Sequence, residues 1–183
     1  MAAMQALDLG TAIGQDERDL PRSDDIRIGN QAPVMVATGN SISLRQMTFG
    51  FPPTTPRGGP VFNFRSEGRS FQNSQRCIIP ASAFFEFTGT KYPKAKHRFT
   101  LEASPMLAIA GLFRDAQTDA AAFTMQLTVD PGADVQPYHA RQVVVLAPSD
   151  WANWLYLSKT ESELLQPLPP GSLNVEPVRA GKT

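Results

Sequence analysis

The run Arg76-Cys77-Ile78-Ile79-Pro80-Ala81-Ser82-Ala83-Phe84-Phe85-Glu86-Phe87 constrains this chain more than any other. It is apolar and aromatic, of the kind that forms buried strand. One carboxylate, Glu86, interrupts it. A buried carboxylate is costly unless it is paired or hydrogen-bonded, and burial lifts its pKa toward the range useful for proton transfer. Two readings of Glu86 stand at this point: the solvent face of a half-buried strand, or a proton-transfer group in a cleft. The polar residues around it in the rest of the chain decide between them.

At 183 residues and 42% hydrophobic content, the chain suits one domain with a substantial core. Seventeen basic and seventeen acidic residues balance, so no global field draws in nucleic acid and an anionic partner needs a local patch. The single cysteine, Cys77, excludes an internal disulfide and a cysteine-based zinc cluster, and fits a reducing cytoplasm. With only His97 and His139 besides, the sequence implies no metal and no other cofactor. No apolar run is long enough for a membrane span, and the N-terminus lacks a signal-peptide pattern. The expectation is a cytoplasmic, monomeric protein.

Residues 2–10 read as a short helix and residues 15–25 as a charged loop. Short strands are predicted at Ile26–Ile28, Val34–Ala37, Ser43–Phe49, Val61–Phe64, Cys77–Ile79, Ala83–Phe87, Arg98–Glu102, Met106–Phe113, Phe123–Val129 and Gln142–Leu146. Residues 52–60 carry four prolines and two glycines and read as an exposed loop. Pro148–Leu157 is predicted helical with Ser149 as cap, followed by a turn or helix over Thr160–Leu165 capped by Ser158 or Thr160. Many short strands with few helices indicate an antiparallel, β-rich α+β domain.

Four polar constellations sit on this scaffold. In Asn63-Phe64-Arg65-Ser66-Glu67-Gly68, Asn63 and Arg65 alternate onto one strand face, where amide and guanidinium suit a phosphate or carbonyl; the alternative is a strand end with Arg65 paired to Glu67. Glu86 is the second. In Pro137-Tyr138-His139-Ala140-Arg141-Gln142, His139 stands just ahead of an apolar strand, where a proton shuttle would meet substrate; a structural histidine is the alternative. The fourth is basic: Lys91, Lys94, Lys96 and Arg98 surround His97, and Arg57, Arg65, Arg69 and Arg76 extend the bias. Phe62, Phe64, Phe71 and Tyr92 share that window and suit base stacking, unless the cluster is an ordinary solvated face. Cys77 reads as a small core hydrophobe, because neighbouring Arg76 points to the opposite face of the strand.

In order, Asn63–Glu67, Arg76–Phe87, Ala110–Arg114, Phe123–Thr128 and His139–Leu146 resemble the SOS-response-associated peptidase (SRAP) family, with Val175-Glu176-Pro177-Val178 similar to its closing strand. The resemblance covers roughly residues 25–180. It implies recognition of abasic sites in single-stranded DNA and covalent attachment to them. In the family a cysteine after the initiator methionine supplies amine and thiol, closing a thiazolidine on the ring-opened sugar. It further implies that Glu86 is the general acid/base, that His139 assists ring opening or proton transfer, and that Asn63 orients the amine or sugar. Arg65 and Arg141 would hold flanking phosphates, with Thr128 a weaker candidate for the same face; Arg69 and Arg76, from the basic bias of this region, are further expected DNA contacts. The protein would associate with the nucleoid when bound to DNA.

Position 2 is Ala2 rather than cysteine. Two expectations follow: a Met-Cys segment lies upstream of this start, or the chain binds DNA without bonding to it. A non-covalent single-stranded DNA module, and a peptidase acting mainly on its own N-terminus, stay open as alternatives.

Overall fold

The computed structural model describes residues 25–53, 55–102, 104–115, 122–127 and 130–182, with 122–127 described by backbone alone. The expected helix over 2–10, the loop up to residue 24, Ala2 and Thr128 lie outside the described residues.

Strands β1 (Gln31–Thr38) and β2 (Ser41–Phe49) form a hairpin. Its turn is Gly39-Asn40, with Gly39 at φ +59°, the left-handed backbone that a two-residue hairpin turn requires. β1 then pairs with β4 (Gln75–Ala81), β4 with β7 (Leu107–Arg114), and β7 with β8 (Ala122–Leu127), all antiparallel. β8 returns to β2 in parallel at Thr48↔Ala122 and Phe49↔Phe123, closing a five-strand ring. An odd ring cannot alternate direction all the way round, so one seam must be parallel. β3 (Asn63–Arg65) takes the same edge of β8 beyond β2, pairing with Met125–Leu127. The chain between β2 and β3 leaves and re-enters that edge through an antiparallel bridge, Phe51↔Val61, with both backbone hydrogen bonds made, at 2.8 and 3.0 Å. The described residues of the Pro/Gly loop are exposed, as expected.

A second, three-stranded antiparallel sheet has the order β5 (Phe84–Thr88), β6 (Ala95–Leu101), β9 (Leu173–Arg179). The helical elements are a 3-10 turn at Pro148–Asp150, α1 (Trp151–Tyr156) and α2 (Glu161–Leu164). The antiparallel, β-rich α+β class read from the sequence is the observed one.

Strand alternation divides the core into two sets. Val34, Val36, Cys77, Ile79 and Ile109 pack toward Phe84, Phe99 and Leu173 of the second sheet. Met35, Ile78, Ala108, Ala110 and Leu112 pack toward Trp151, Trp154 and Leu155 of α1. With both faces covered, these strands read as continuous apolar runs rather than alternating ones. The run Val143–Leu146 feeds both sets by turns, but it is no regular strand. It joins β7 through one bridge, Ile109↔Val145, with hydrogen bonds from Ala110 N–H to the Val144 carbonyl and from Leu146 N–H to the Ala108 carbonyl. Ile26–Ile28 is turn and irregular chain instead of strand. The cap of α1 is Asp150 rather than Ser149. The cap of α2 is Thr160, whose N–H and hydroxyl both donate to the Glu163 carboxylate at 3.0 and 2.6 Å.

Candidate active site

β5 carries Glu86 on the face that also presents Phe84 and Thr88, since alternate residues of a strand share a side. Phe84 stacks on Phe99 of β6, with ring centroids 4.8 Å apart and planes 8° from parallel, so this face is turned toward the core. Glu86 is thereby drawn inward until only 15% of its side chain is exposed. Its carboxyl pKa is raised, chiefly by desolvation, against the opposing pull of His139. The solvent-face reading of Glu86 therefore does not describe this structure.

His139 arrives on a hoop, residues 132–142, that is pinned at several points. Successive turns hydrogen-bond Gln136 N–H to the Gly132 carbonyl and His139 N–H to the Val135 carbonyl, and Val135 is fully buried. Asp134 accepts the N–H groups of Gly171 and Leu173 at 2.8 and 3.0 Å, fastening the hoop to the start of β9. Buried Gln142 closes it by accepting from Gly132 N–H. So held, His139 Nδ1 lies 2.8 Å from the Arg141 carbonyl oxygen and 3.7 Å from Glu86 Oε2. The second distance is beyond hydrogen bonding but well within Coulombic reach. The Arg141 N–H also lies 3.2 Å from this Nδ1, so both backbone groups of Arg141 address it, and 45% of the side chain is exposed to solvent.

Asn63 and Arg65 share a face of β3, the first half-buried and the second exposed. No hydrogen bond joins Asn63 to Glu86 or His139. The link runs through the loop after β3: Glu67 and Arg141 form a two-armed ion pair, Nη1 to Oε1 and Nη2 to Oε2, the latter at 3.1 Å. Thus Glu67 pairs with Arg141, not with Arg65, and the β3 segment is tied to the residue two beyond His139.

The remaining arginines separate by role. Arg76 donates to four backbone carbonyls, those of Trp154, Phe71, Ser74 and Gln72, at 3.0, 2.7, 3.2 and 3.4 Å. It clamps the end of α1 to the loop before β4. Arg69 lies over the Phe64 ring at 5.8 Å, and Arg114 over Phe51 at 5.0 Å. These pairs line a groove of about 630 Å³ on the side of β3 that Phe64 faces, away from Asn63 and Arg65. In the basic stretch, Arg98 pairs with Glu176 at 3.4 Å and Lys96 Nζ sits 3.8 Å above the Phe85 ring. Cys77 is fully buried, and burial pushes its thiol well above the usual range, which makes it a core residue rather than a nucleophile.

His97 is the site residue that the sequence did not reveal. The register places it directly opposite Glu86 across β5 and β6. Its Nε2 lies 2.8 Å from Thr88 Oγ1, and its ring meets Tyr138, the neighbour of His139, at 4.7 Å between centroids. No group of three or more metal-ligating side chains gathers among the described residues, and no described helix is long and apolar enough to cross a membrane.

The chain is similar to several known proteins. The abasic site processing protein YoaM of Bacillus subtilis is 33% identical over 102 residues, 52% of this chain and 44% of its own. YobE of the same organism is 28% identical over 150 residues, 73% of this chain and 68% of its own. The match thus spans between about half and two thirds of these relatives. A crystal structure of a protein from Bordetella bronchiseptica superposes with TM-score 0.72 and 21% identity, covering 97% of this chain and 95% of that one, which shows a shared fold. The SOS response associated peptidase (SRAP) family matches residues 2–181, nearly the whole sequence, and the chain belongs to that family.

Proposed function

We propose that this chain recognises abasic sites in single-stranded DNA, and that Glu86 and His139 form the proton-transfer pair for condensing a protein amine with the ring-opened sugar. The observation that carries this reading is the buried, raised carboxyl of Glu86 set 3.7 Å from the exposed imidazole of His139. Support comes from relatives whose names describe abasic site processing, and abasic sites present an aldehyde once the sugar opens.

Opening the sugar breaks the C1′–O4′ bond, removes the proton of the C1′ hydroxyl and delivers one to O4′. His139, half-exposed beside Glu86, moves the first of these protons. The amine nitrogen then bonds to C1′, giving a carbinolamine. The Glu86 carboxyl, its pKa raised by desolvation, donates to the departing hydroxyl, which leaves as water, and the carboxylate takes back the nitrogen's proton to give the imine. Asn63 orients the sugar or amine from the β3 side. Arg65 contacts backbone phosphates, and Arg69 does so from the other side of β3; Arg141 is committed to Glu67 beside His139, and Arg76 to the carbonyls that hold α1 to the loop before β4. An amine alone carries the reaction to the imine. A thiazolidine needs a thiol beside that amine, and buried Cys77 does not supply one.

The test is a denaturing gel of the chain with abasic single-stranded DNA, with and without borohydride. A borohydride-dependent adduct, slowed ~100-fold or more by Glu86→Gln, is expected. An adduct formed equally well by Glu86→Gln would overturn the assignment. Absence of both an adduct and native-gel binding would remove the abasic-site reading altogether.

A further inference from the structure

The chain contains two histidines, and the fold sets one beside the Glu86 carboxylate and the other across the ladder from Glu86. His139 approaches Glu86 from the hoop, at 3.7 Å. His97 stands opposite Glu86 in the β5–β6 ladder, where directly paired side chains share a face with Cβ atoms roughly 5 Å apart.

His97 is fixed from two directions. Its Nε2 is 2.8 Å from the hydroxyl of Thr88, which lies two residues along β5 from Glu86 and therefore on the same face. Its ring meets Tyr138 at 4.7 Å and 57°, and Tyr138 in turn stands edge-on to Phe99 at 5.4 Å and 87°. Phe99 stacks on Phe84, the residue two before Glu86. The rings of Phe84, Phe99, Tyr138 and His97 thus form a continuous series that begins on the strand carrying Glu86 and includes Tyr138, the chain neighbour of His139. A strand needs no imidazole at this position, and a ring held at both ends transmits position from one segment to the other.

We propose that His97 is a positioning residue: clamped by Thr88, it buttresses Tyr138 and so keeps His139 in register with Glu86. The consequence for the reaction rests on the function proposed above. The consequence for the placement of His139 rests on this geometry alone.

The experiment uses the full chain and two readouts: the long-range 1H–15N imidazole spectrum, and the rate of borohydride-trapped adduct with abasic single-stranded DNA. In His97→Ala the spectrum holds one imidazole, so His139 is assigned without ambiguity. Thr88→Val removes the hydroxyl at nearly constant shape and tests the clamp should His97→Ala fail to fold; Thr88→Ser keeps the hydroxyl and tests rescue. His97→Ala and Thr88→Val are expected to shift the His139 nitrogen resonances and to slow adduct formation ~10-fold or more. Thr88→Ser is expected to restore both. Unmoved His139 resonances in folded Thr88→Val and His97→Ala, or no recovery with Thr88→Ser, overturn the positioning role. A wild-type chain that forms no adduct, while its His139 still responds to Thr88→Val, sinks the functional reading and leaves the positioning role standing.

Discussion

Glu67 and Arg141, 74 positions apart in sequence, meet in a two-armed ion pair with 26% and 16% of their side chains exposed. The pair fastens the β3 loop to the hoop carrying His139, so breaking it should loosen two parts of the site at once. At this partial burial the coupling is expected to be about 1–2 kcal/mol, between the values for exposed and buried pairs. A double-mutant cycle of Glu67→Gln and Arg141→Met, followed by urea melts, measures it. Additive single effects would mean the pair contributes nothing.

Glu86 should cost the protein stability. Its folded pKa is raised, so between the ordinary value of 4.5 and that raised value the native state binds the proton more tightly than the unfolded chain. Stability from this group is therefore fully present below the ordinary value and is lost as pH rises through the folded one. Glu86→Gln is expected to melt higher than wild type near neutral pH, with the gap shrinking as pH falls toward 4.5. Equal melting temperatures at neutral pH would contradict the desolvation account.

Arg65 and Arg76 should fail in opposite ways. Arg65 is exposed, so Arg65→Ala is expected to leave the melt unchanged, weaken single-stranded DNA binding, and lower the slope of log K against log salt by ~0.7. An unaltered slope would exclude a phosphate contact.

Arg76→Met removes the guanidinium from four carbonyls, of which that of Phe71 keeps the Ser74 N–H as donor. A loss of about 2–4 kcal/mol in chemical denaturation is expected, with no change in salt slope for the folded fraction. A neutral effect on stability would show that water replaces the guanidinium.

Cys77 should be silent to thiol reagents in the native protein and react stoichiometrically on unfolding, because its thiol is fully buried and held protonated. Rapid labelling under native conditions would count against the packing around β4.

Glu86 was legible because a lone carboxylate in an apolar, aromatic run demands an explanation, and His139 because histidines are scarce in this chain. His97 was hidden by the residues around it. The strand predicted from the sequence starts at Arg98 and leaves His97 in a basic cluster, yet β6 begins at Ala95. Lys96 and Arg98 occupy the outer face, over Phe85 and against Glu176, while His97 and Phe99 turn inward. Only the hairpin register shows that His97 faces Glu86, and no local pattern encodes it. The arginines were ambiguous for a related reason: whether a guanidinium is available to DNA depends on which carbonyls and carboxylates the fold brings to it. Val143–Leu146 looked like a regular strand because apolar residues serving two cores in turn produce the same run as a strand buried on both faces.

The seam where β2 and β3 take consecutive stretches of one β8 edge has an evolutionary corollary. Because Phe51 and Val61 seal the excursion at its base, the ring's register is complete without the residues in between. That segment is a replaceable attachment: it can gain, lose or exchange residues beside Asn63 without any strand changing partner. Diversification among relatives, and grafting by an engineer, should therefore concentrate there, adjusting what borders Asn63 while the ring beneath is inherited intact.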